Sequence, residues 1–409
     1  MSGGAAETAD RVARGSYGKL IAYLSARTRD VAAAEDALAD AFAAALKDWP
    51  VKGCPDNPEA WLLTAARRKL IDAARRRRSK DEAAPHLALL AEELTAAAAA
   101  ADAPIPDHRL ALMFACAHPA IEQAVHAPLI LQTVLGLSAQ TIASAFLTSP
   151  SAMGKRLVRA KTGIRTAQVA FRVPEREELR ERLGSVLEAI YAAFTEGWND
   201  PAGADAVRRE LTGEALYLAR LVARMLPEEP EALGLLALML HAAARRGARR
   251  TPQGDFAPLA EQDTAQWDKA MIGDAERVLR RAGTLGVIGR FQLEAALQSA
   301  HVFRRLTGAS NWADIVAIYD ALLAVTGSPV VAVNRALARA EVEGAPTALA
   351  ILDALSGDLG EYQPYWAGRA ELLGRTGAKE EARKAYDMAI GLERDPAVRR
   401  FLQQRKAAL

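Results

Sequence analysis

The stretch Asn57–Lys80, NPEAWLLTAARRKLIDAARRRRSK, constrains this chain more than any other. Pro58 suits the first turn of a helix, where its missing N–H costs nothing. Trp61, Leu62, Ala65, Leu70 and Ala73 or Ala74 then fall on one apolar stripe at helical spacing. From Arg67 to Lys80 there are eight basic residues and one acid, Asp72. A helix that is apolar behind, basic in front and aromatic near its start suits a nucleic-acid backbone. A solvated charged face at a domain edge has the same pattern, so the rest of the chain must separate the two.

A length of 409 residues allows two to four domains, and the high alanine share favours helix. The formal net charge of +2 hides an asymmetry. The first 172 residues carry 22 Lys and Arg against 17 Asp and Glu, and the remainder 30 against 33. A basic front suggests that nucleic acid meets that half. Two cysteines, Cys54 and Cys116, are too few for a disulfide framework or a zinc site, and they fit a reducing cytoplasm. Met1–Asp10 is small and polar and does not read as a signal peptide. The apolar run Ala232–Ala244 is too short to span a bilayer and predicts a buried helix, so no membrane partner is expected.

Ser16–Thr28 and Val31–Trp49 read as amphipathic helices. In the second, Leu38, Phe42 and Leu46 are expected to face the core, with Glu35, Asp36 and Asp40 on an outer acidic ridge. Trp49–Pro58 carries three prolines and a glycine and predicts a loop, with Asp56 or Asn57 capping the basic helix. Asp81–Pro106, with its alanine run and its final Ala-Pro-Ile-Pro, reads as a partly helical linker. Near residue 165 the pattern is a helix-turn-helix. Ser138 caps a short helix with Ile142, Ala143 and Phe146 inward, Leu147–Pro150 turns, and a second helix buries Met153, Leu157 and Ala160. Its outer face carries Lys155, Arg156, Arg159 and Lys161, as on a recognition helix that enters a major groove.

Taken in order, the acidic EDALADAF helix, the Pro-x-x-Trp-Leu…Arg-Arg-Lys-Leu-Ile-Asp-x-x-Arg-Arg helix, a linker and a terminal helix-turn-helix resemble the extracytoplasmic-function (ECF) class of bacterial RNA polymerase sigma factors. Ser16–Asp81 looks like sigma region 2 and Asp107–Arg172 like sigma region 4. Phe114–Ala120 and the long tail look like an ECF subgroup with a helical, tetratricopeptide-like (TPR-like) extension. The resemblance implies that Glu35, Asp36 and Asp40 dock on the polymerase clamp helices. It implies that Asn57, Trp61, Arg67, Arg68, Lys69, Arg75 and Arg76 melt and hold the minus-10 strand. Ser151, Lys155, Arg156, Arg159 and Lys161 would read the minus-35 element. Three positions depart from the family pattern: Ala39 in place of a frequent Gln, Arg68 in place of a common Asn, and Leu147 in place of a turn glycine.

Pro174 marks a boundary, followed by a long helix over Glu175–Gly197 and a helical pair around Pro227–Pro230. The basic loop Arg245–Asp255 is expected to pair with nearby Glu261, Asp263 and Asp268. Beyond Phe291 a period near 34 appears: Ala348, Leu352 and Leu355 recur as Ala382, Tyr386 and Ala389, and Ala336 recurs as Ala370. That is tetratricopeptide spacing, and such helix pairs stack into a groove that takes peptides or protein surfaces. No HExxH, GxSxG, GxGxxG or P-loop is present, and His86, His108, His118, His126, His241 and His301 show no zinc spacing.

The expectation is an all-α, cytoplasmic, non-enzymatic chain with no cofactor or metal. Its predicted parts are 1–85, a linker over 86–106, 107–172, a helical middle over 173–290 and a TPR-like domain over 291–409. The expected partners are core RNA polymerase, promoter DNA and a regulatory protein or peptide at the TPR-like groove. A DNA-binding helix-turn-helix regulator with a TPR-like domain that is not a sigma factor remains the alternative.

Overall fold

The computed structural model describes residues 3–78, 106–146, 148–198, 206–355 and 359–409. Among these residues the fold is all-α; a single bridge between Arg250 and Phe256 is the nearest approach to strand. The backbone divides into two compact units, Met1–Gly197 and Trp198–Leu409. Nearly all of the expected 86–106 linker, and Leu147 in the expected turn, lie outside the described residues.

The front unit holds α1 (Gly3–Thr28), α2 (Val31–Lys52), α3 (Pro58–Arg78), α4 (Arg109–Cys116), α5 (Gln123–Leu135), α6 (Ala139–Ala145), α7 (Pro150–Thr166) and α8 (Arg176–Trp198). Helix α2 starts where Asp30 accepts a hydrogen bond from the Ala33 N–H, an N-cap that satisfies a free backbone donor. It buries Val31, Ala34, Ala37, Leu38, Ala41, Ala45 and Trp49. This stripe leaves Phe42 half-buried and turns Leu46 outward, 53% exposed, because Ala45 already holds the inward position of that turn. The helix also runs through Pro50 to Lys52, so the connection is Gly53–Asn57 and shorter than the expected Trp49–Pro58.

Regions 1–85 and 107–172, expected as separate domains, share this unit. Helix α1 packs on α2, α3, α4 and α5. At the crossing with α5, Gly18 lies so close that a Cβ would overlap the Val134 carbonyl oxygen. The Tyr17 ring sits over Gly136 beside it. Helix α8, expected to open the middle domain, belongs here as well: Arg182 donates to the Phe114 carbonyl at 2.8 Å.

The back unit begins with α9 (Ala206–Met225) and α10 (Pro230–Ala244). Helix α10 is buried on nearly every side, as its unbroken apolar run requires. It lies between α11 (Lys269–Gly283) and α12 (Arg290–Thr307). Gly234 lets the α12 backbone approach; a Cβ there would stand 2.6 Å from the Gln292 nitrogen. The pairs that follow are α13 (Trp312–Thr326), α14 (Pro329–Glu343), α15 (Ala345–Ala354), α16 (Gln363–Arg375), α17 (Lys379–Leu392) and α18 (Pro396–Ala407). The repeat positions Ala336, Ala348, Leu352, Ala370, Ala382, Tyr386 and Ala389 are all buried where these helices meet.

Asp263 and Asp268 cap the helical turns that follow them, accepting from the Ala265 and Met271 N–H groups. The segment after α10 also meets the last helix. Arg250 pairs with Asp395, Arg400 with Asp255 at 3.1 Å and Arg405 with Glu261 at 2.8 Å. Phe256 and Phe401 stack edge to face with centroids 5.6 Å apart. This return of α18 is one reason why the expected division at 290 does not separate the back half.

Candidate polymerase and nucleic-acid interface

Helix α3 begins on a cap and a clamp. Asn57 accepts from the Ala60 N–H at 3.1 Å, and Pro58 follows in the first turn. Glu59 accepts from Ser16 and lies 3.9 Å from Lys19, which ties this end to α1. Trp61 is half-buried with its ring edge on to the buried Trp49, 5.5 Å between centroids. The aromatic therefore stands in the first turn of α3 on a rigid base, and Val51 and Cys54 in the preceding segment are exposed.

The basic residues of α3 are divided. Arg68 and Lys69 are exposed, and Lys69 reaches Asp40 at 3.4 Å across the surface. Arg67 turns inward and is only 6% exposed. It donates to the Tyr23 hydroxyl, and Arg27 lies 3.6 Å over the same ring. The expected basic face is thus short of one member, because Arg67 falls on the helix side that meets α1. The side chains of Arg75 and Arg76 lie outside what the structure describes.

On α2, Asp36 and Asp40 face solvent. Glu35 does not: it pairs with Lys161 of α7, and both side chains are largely covered. Burial pushes the Glu35 carboxyl above the usual carboxylate range, against the opposing pull of Lys161.

Helix α7 carries the other expected interface. Ser149 caps it by accepting from the Ala152 N–H, Pro150 takes the first turn, and Met153, Leu157, Ala160 and Ile164 are buried. Ser151, Lys155, Arg156 and Arg159 are exposed together, while Lys161 points to α2. Val158 stands among them, 66% exposed. Sequence reasoning passed over it, and its one signal was a β-branched residue between two arginine positions of the outer face. The preceding short helix starts on Ser138, which accepts from the Thr141 N–H at 3.1 Å.

His118 is a turn residue. Its Nδ1 accepts from the Ala120 N–H at 3.1 Å, and partial burial with Arg182 nearby keeps it below the ordinary histidine value. Among the described residues no group of three or more His, Cys, Asp or Glu is placed to hold a metal ion. No described helix is long and apolar enough to cross a membrane.

Comparison with known proteins places this geometry. Residues 14–80, which span α1 to α3, match the family model of sigma-70 region 2. Residues 182–283, from α8 to α11, match a family of unknown function (DUF6596). The chain is 35% identical over 380 residues to the uncharacterized protein R00370 of Rhizobium meliloti (strain 1021), covering 92% of this chain and 89% of that protein. No solved structure matches it.

Proposed function

Because the chain belongs to the same family as that Rhizobium meliloti protein and carries a sigma-70 region 2, we propose that it is a sigma factor of the ECF class. In this reading it binds core RNA polymerase, reads a minus-35 element with α7 and melts the minus-10 element with α3. The observation that carries the proposal is the region 2 match over 14–80, with Asp36 and Asp40 exposed on α2 and Arg68 and Lys69 exposed on α3.

Each element has a role that its chemistry supports. Asp36 and Asp40 offer carboxylates to a basic polymerase surface. Separating Asp40 from Lys69 costs at most about 1 kcal/mol, since the pair is solvated. Trp61, braced by Trp49, presents a ring on which an extruded base can stack. Arg68 and Lys69, with Arg75 and Arg76 further along the helix, neutralise phosphates of the opened strand. Extruding a base costs a few kcal/mol, which polymerase contacts and phosphate neutralisation supply without nucleotide hydrolysis.

On α7, Ser151, Lys155, Arg156 and Arg159 line the face that enters a major groove, and Val158 can contact a thymine methyl. Lys161 joins them only when it leaves Glu35. About six phosphate contacts give a log–log salt slope of roughly −5 on duplex DNA.

The back unit fits a TPR-like regulatory extension. Helix starts recur 34 residues apart, Pro329 with Gln363 and Ala345 with Lys379, and the matching alanines are buried at each repeat. Its proposed role is to accept a regulatory protein or peptide along the stacked pairs.

The test is transcription in vitro with purified core RNA polymerase and the promoter upstream of the chain's own operon. Transcripts should depend on the protein and fall about tenfold or more when Asp36 and Asp40 are both replaced by alanine, the loss of about 1.4 kcal/mol of docking energy. DNA binding without any affinity for core would favour a helix-turn-helix regulator instead.

A further inference from the structure

The back unit covers a guanidinium without a counter-charge. Arg245, the residue that ends α10, is 9% exposed. Its polar contacts are neutral: Nε donates to the His241 carbonyl at 3.3 Å, and the guanidinium donates to the side-chain oxygen of Gln298 on α12. Trp267 packs against it, 5.8 Å from guanidinium carbon to ring centroid. Carboxylates of neighbouring segments are engaged elsewhere. Glu276 accepts from Ser299 at 2.6 Å and faces His241, Asp395 pairs with Arg250, and Asp263 and Asp268 cap helical turns. The carbonyl end of α10 and one amide dipole offset only part of a full charge, and burial draws the guanidinium down to about 10.

More basic groups follow along α12. One turn beyond Gln298, His301 stands edge on to Trp312, and the charges of Arg245 and Arg304 are near enough to oppose its protonation. Arg304 lies 4.5 Å over Trp312, and Arg305 donates to the Gln262 carbonyl at 2.9 Å. As at Arg245, both contacts are with neutral groups. Positions 298, 301, 304 and 305 are three and four apart, so they share one side of the helix. Hydrogen-bond donors are in excess here. The Nε groups of Arg304 and Arg305 and the Trp267 indole N–H are shielded from solvent without a partner, as is His301 Nδ1. Water can accept from such donors, yet it leaves the charge of Arg245 uncompensated. An ionised oxyanion accepts only and carries the missing charge, so it answers both needs.

We propose that the back unit binds a small oxyanion between the end of α10 and α12, with Arg245 as its covered anchor and His301, Arg304 and Arg305 at the half-buried entrance. The indoles of Trp267 and Trp312 flank these groups, which suits a carboxylate on a flat apolar body better than inorganic phosphate. The bound anion ties α10 to α12 and so stiffens the start of the repeat stack. The site goes beyond the sigma-factor reading and does not depend on it.

The experiment uses the full chain, with sodium benzoate, acetate and phosphate as probes. Benzamide, and chloride at equal ionic strength, are the controls. Binding is measured by calorimetry and Tm by thermal unfolding. Benzoate should bind and raise Tm by about 2–4 °C at ten times its Kd. Benzamide, which has the same shape without the charge, should not. Arg245→Gln should weaken oxyanion binding about tenfold or more, the loss of a charge-assisted hydrogen bond. Its Tm in chloride should equal or exceed that of wild type, because an uncompensated buried charge is gone. Arg304→Gln, at the entrance, should weaken binding by about threefold. It carries the test if Arg245→Gln does not fold.

Stronger binding of phosphate than of benzoate keeps the oxyanion site and removes the preference for an apolar body. A lower Tm in Arg245→Gln with unchanged probe affinity makes Arg245 purely structural and overturns the proposal. So does the absence of any response to the three anions beyond that to chloride, or equal binding of benzoate and benzamide.

Discussion

At the scale of single residues, the basic side chains of α3 divide between core and surface. Arg67 is part of the fold: its guanidinium is buried against Tyr23, so Arg67→Ala leaves a covered hydroxyl without its donor. The expected loss is about 1–3 kcal/mol of stability, read by denaturant unfolding. The salt slope of DNA binding should be unchanged. Arg156→Ala should do the reverse, leaving stability within about 0.5 kcal/mol and lowering the log–log salt slope by about 1. Equal effects of the two substitutions on DNA binding would reverse this assignment. The sequence could not separate Arg67 from Arg68, because a helix with apolar residues at 62, 63, 65, 66 and 70 leaves the edge of its buried stripe undetermined by one residue. The inward position was set by where α1 presents Tyr23.

At the scale of elements, α18 shows how a local pattern finds a distant address. Its contact with the loop after α10 combines exposed ion pairs with the Phe256–Phe401 stack. Solvated pairs contribute little each, whereas an aromatic contact adds about 0.5–1.5 kcal/mol beyond the area it buries. Phe401→Ala should therefore release α18 far more than the double change Arg400→Ala and Arg405→Ala. Hydrogen exchange of residues 396–407 in the full chain checks it, with protection falling several-fold in the first variant and barely in the second. A larger loss in the charge variant would mean that the ion pairs hold the helix. The period near 34 was legible because buried small residues recur with the helices. The return of α18 to residues 250–261 was not, since no local pattern records a contact between residues 145 apart.

At the scale of the whole molecule, the back unit should make the chain acid-sensitive. His241 is buried and His301 half-buried, and loss of hydration holds each down to about 4. Arg245 adds to the depression at both, and Arg304 adds to it at His301. Glu276 lies 3.4 Å from His241 Nε2, but the cost of burying a charged ring outweighs its attraction. The folded values are depressed below the unfolded one, near 6.5. The unfolded chain therefore takes up protons first as pH falls, and stability is lost from about pH 6.5 down to about 4. By pH 5 the loss is on the order of 2 kcal/mol for each ring. Thermal unfolding of the full chain at pH 7 and pH 5 measures it. His301→Phe, which can keep the ring against Trp312, should remove about half of the shift. An unchanged shift in that variant would move the sensitivity to other groups.

The sequence by itself determined the helices, their caps, the two charged faces and the repeat, because each depends on residues within a turn or two of one another. Asn57 and Ser138 accept the backbone N–H groups that their positions foretell, whereas the caps Asp30 and Ser149 were not picked out from the sequence. Only the tertiary structure decided that Arg67 lies inside, that Glu35 meets Lys161 across 126 residues, and that the two front modules form one unit. Those outcomes depend on which helices come close. That is settled by shape at a few points, such as Gly18 against Val134, where a single missing Cβ permits the crossing.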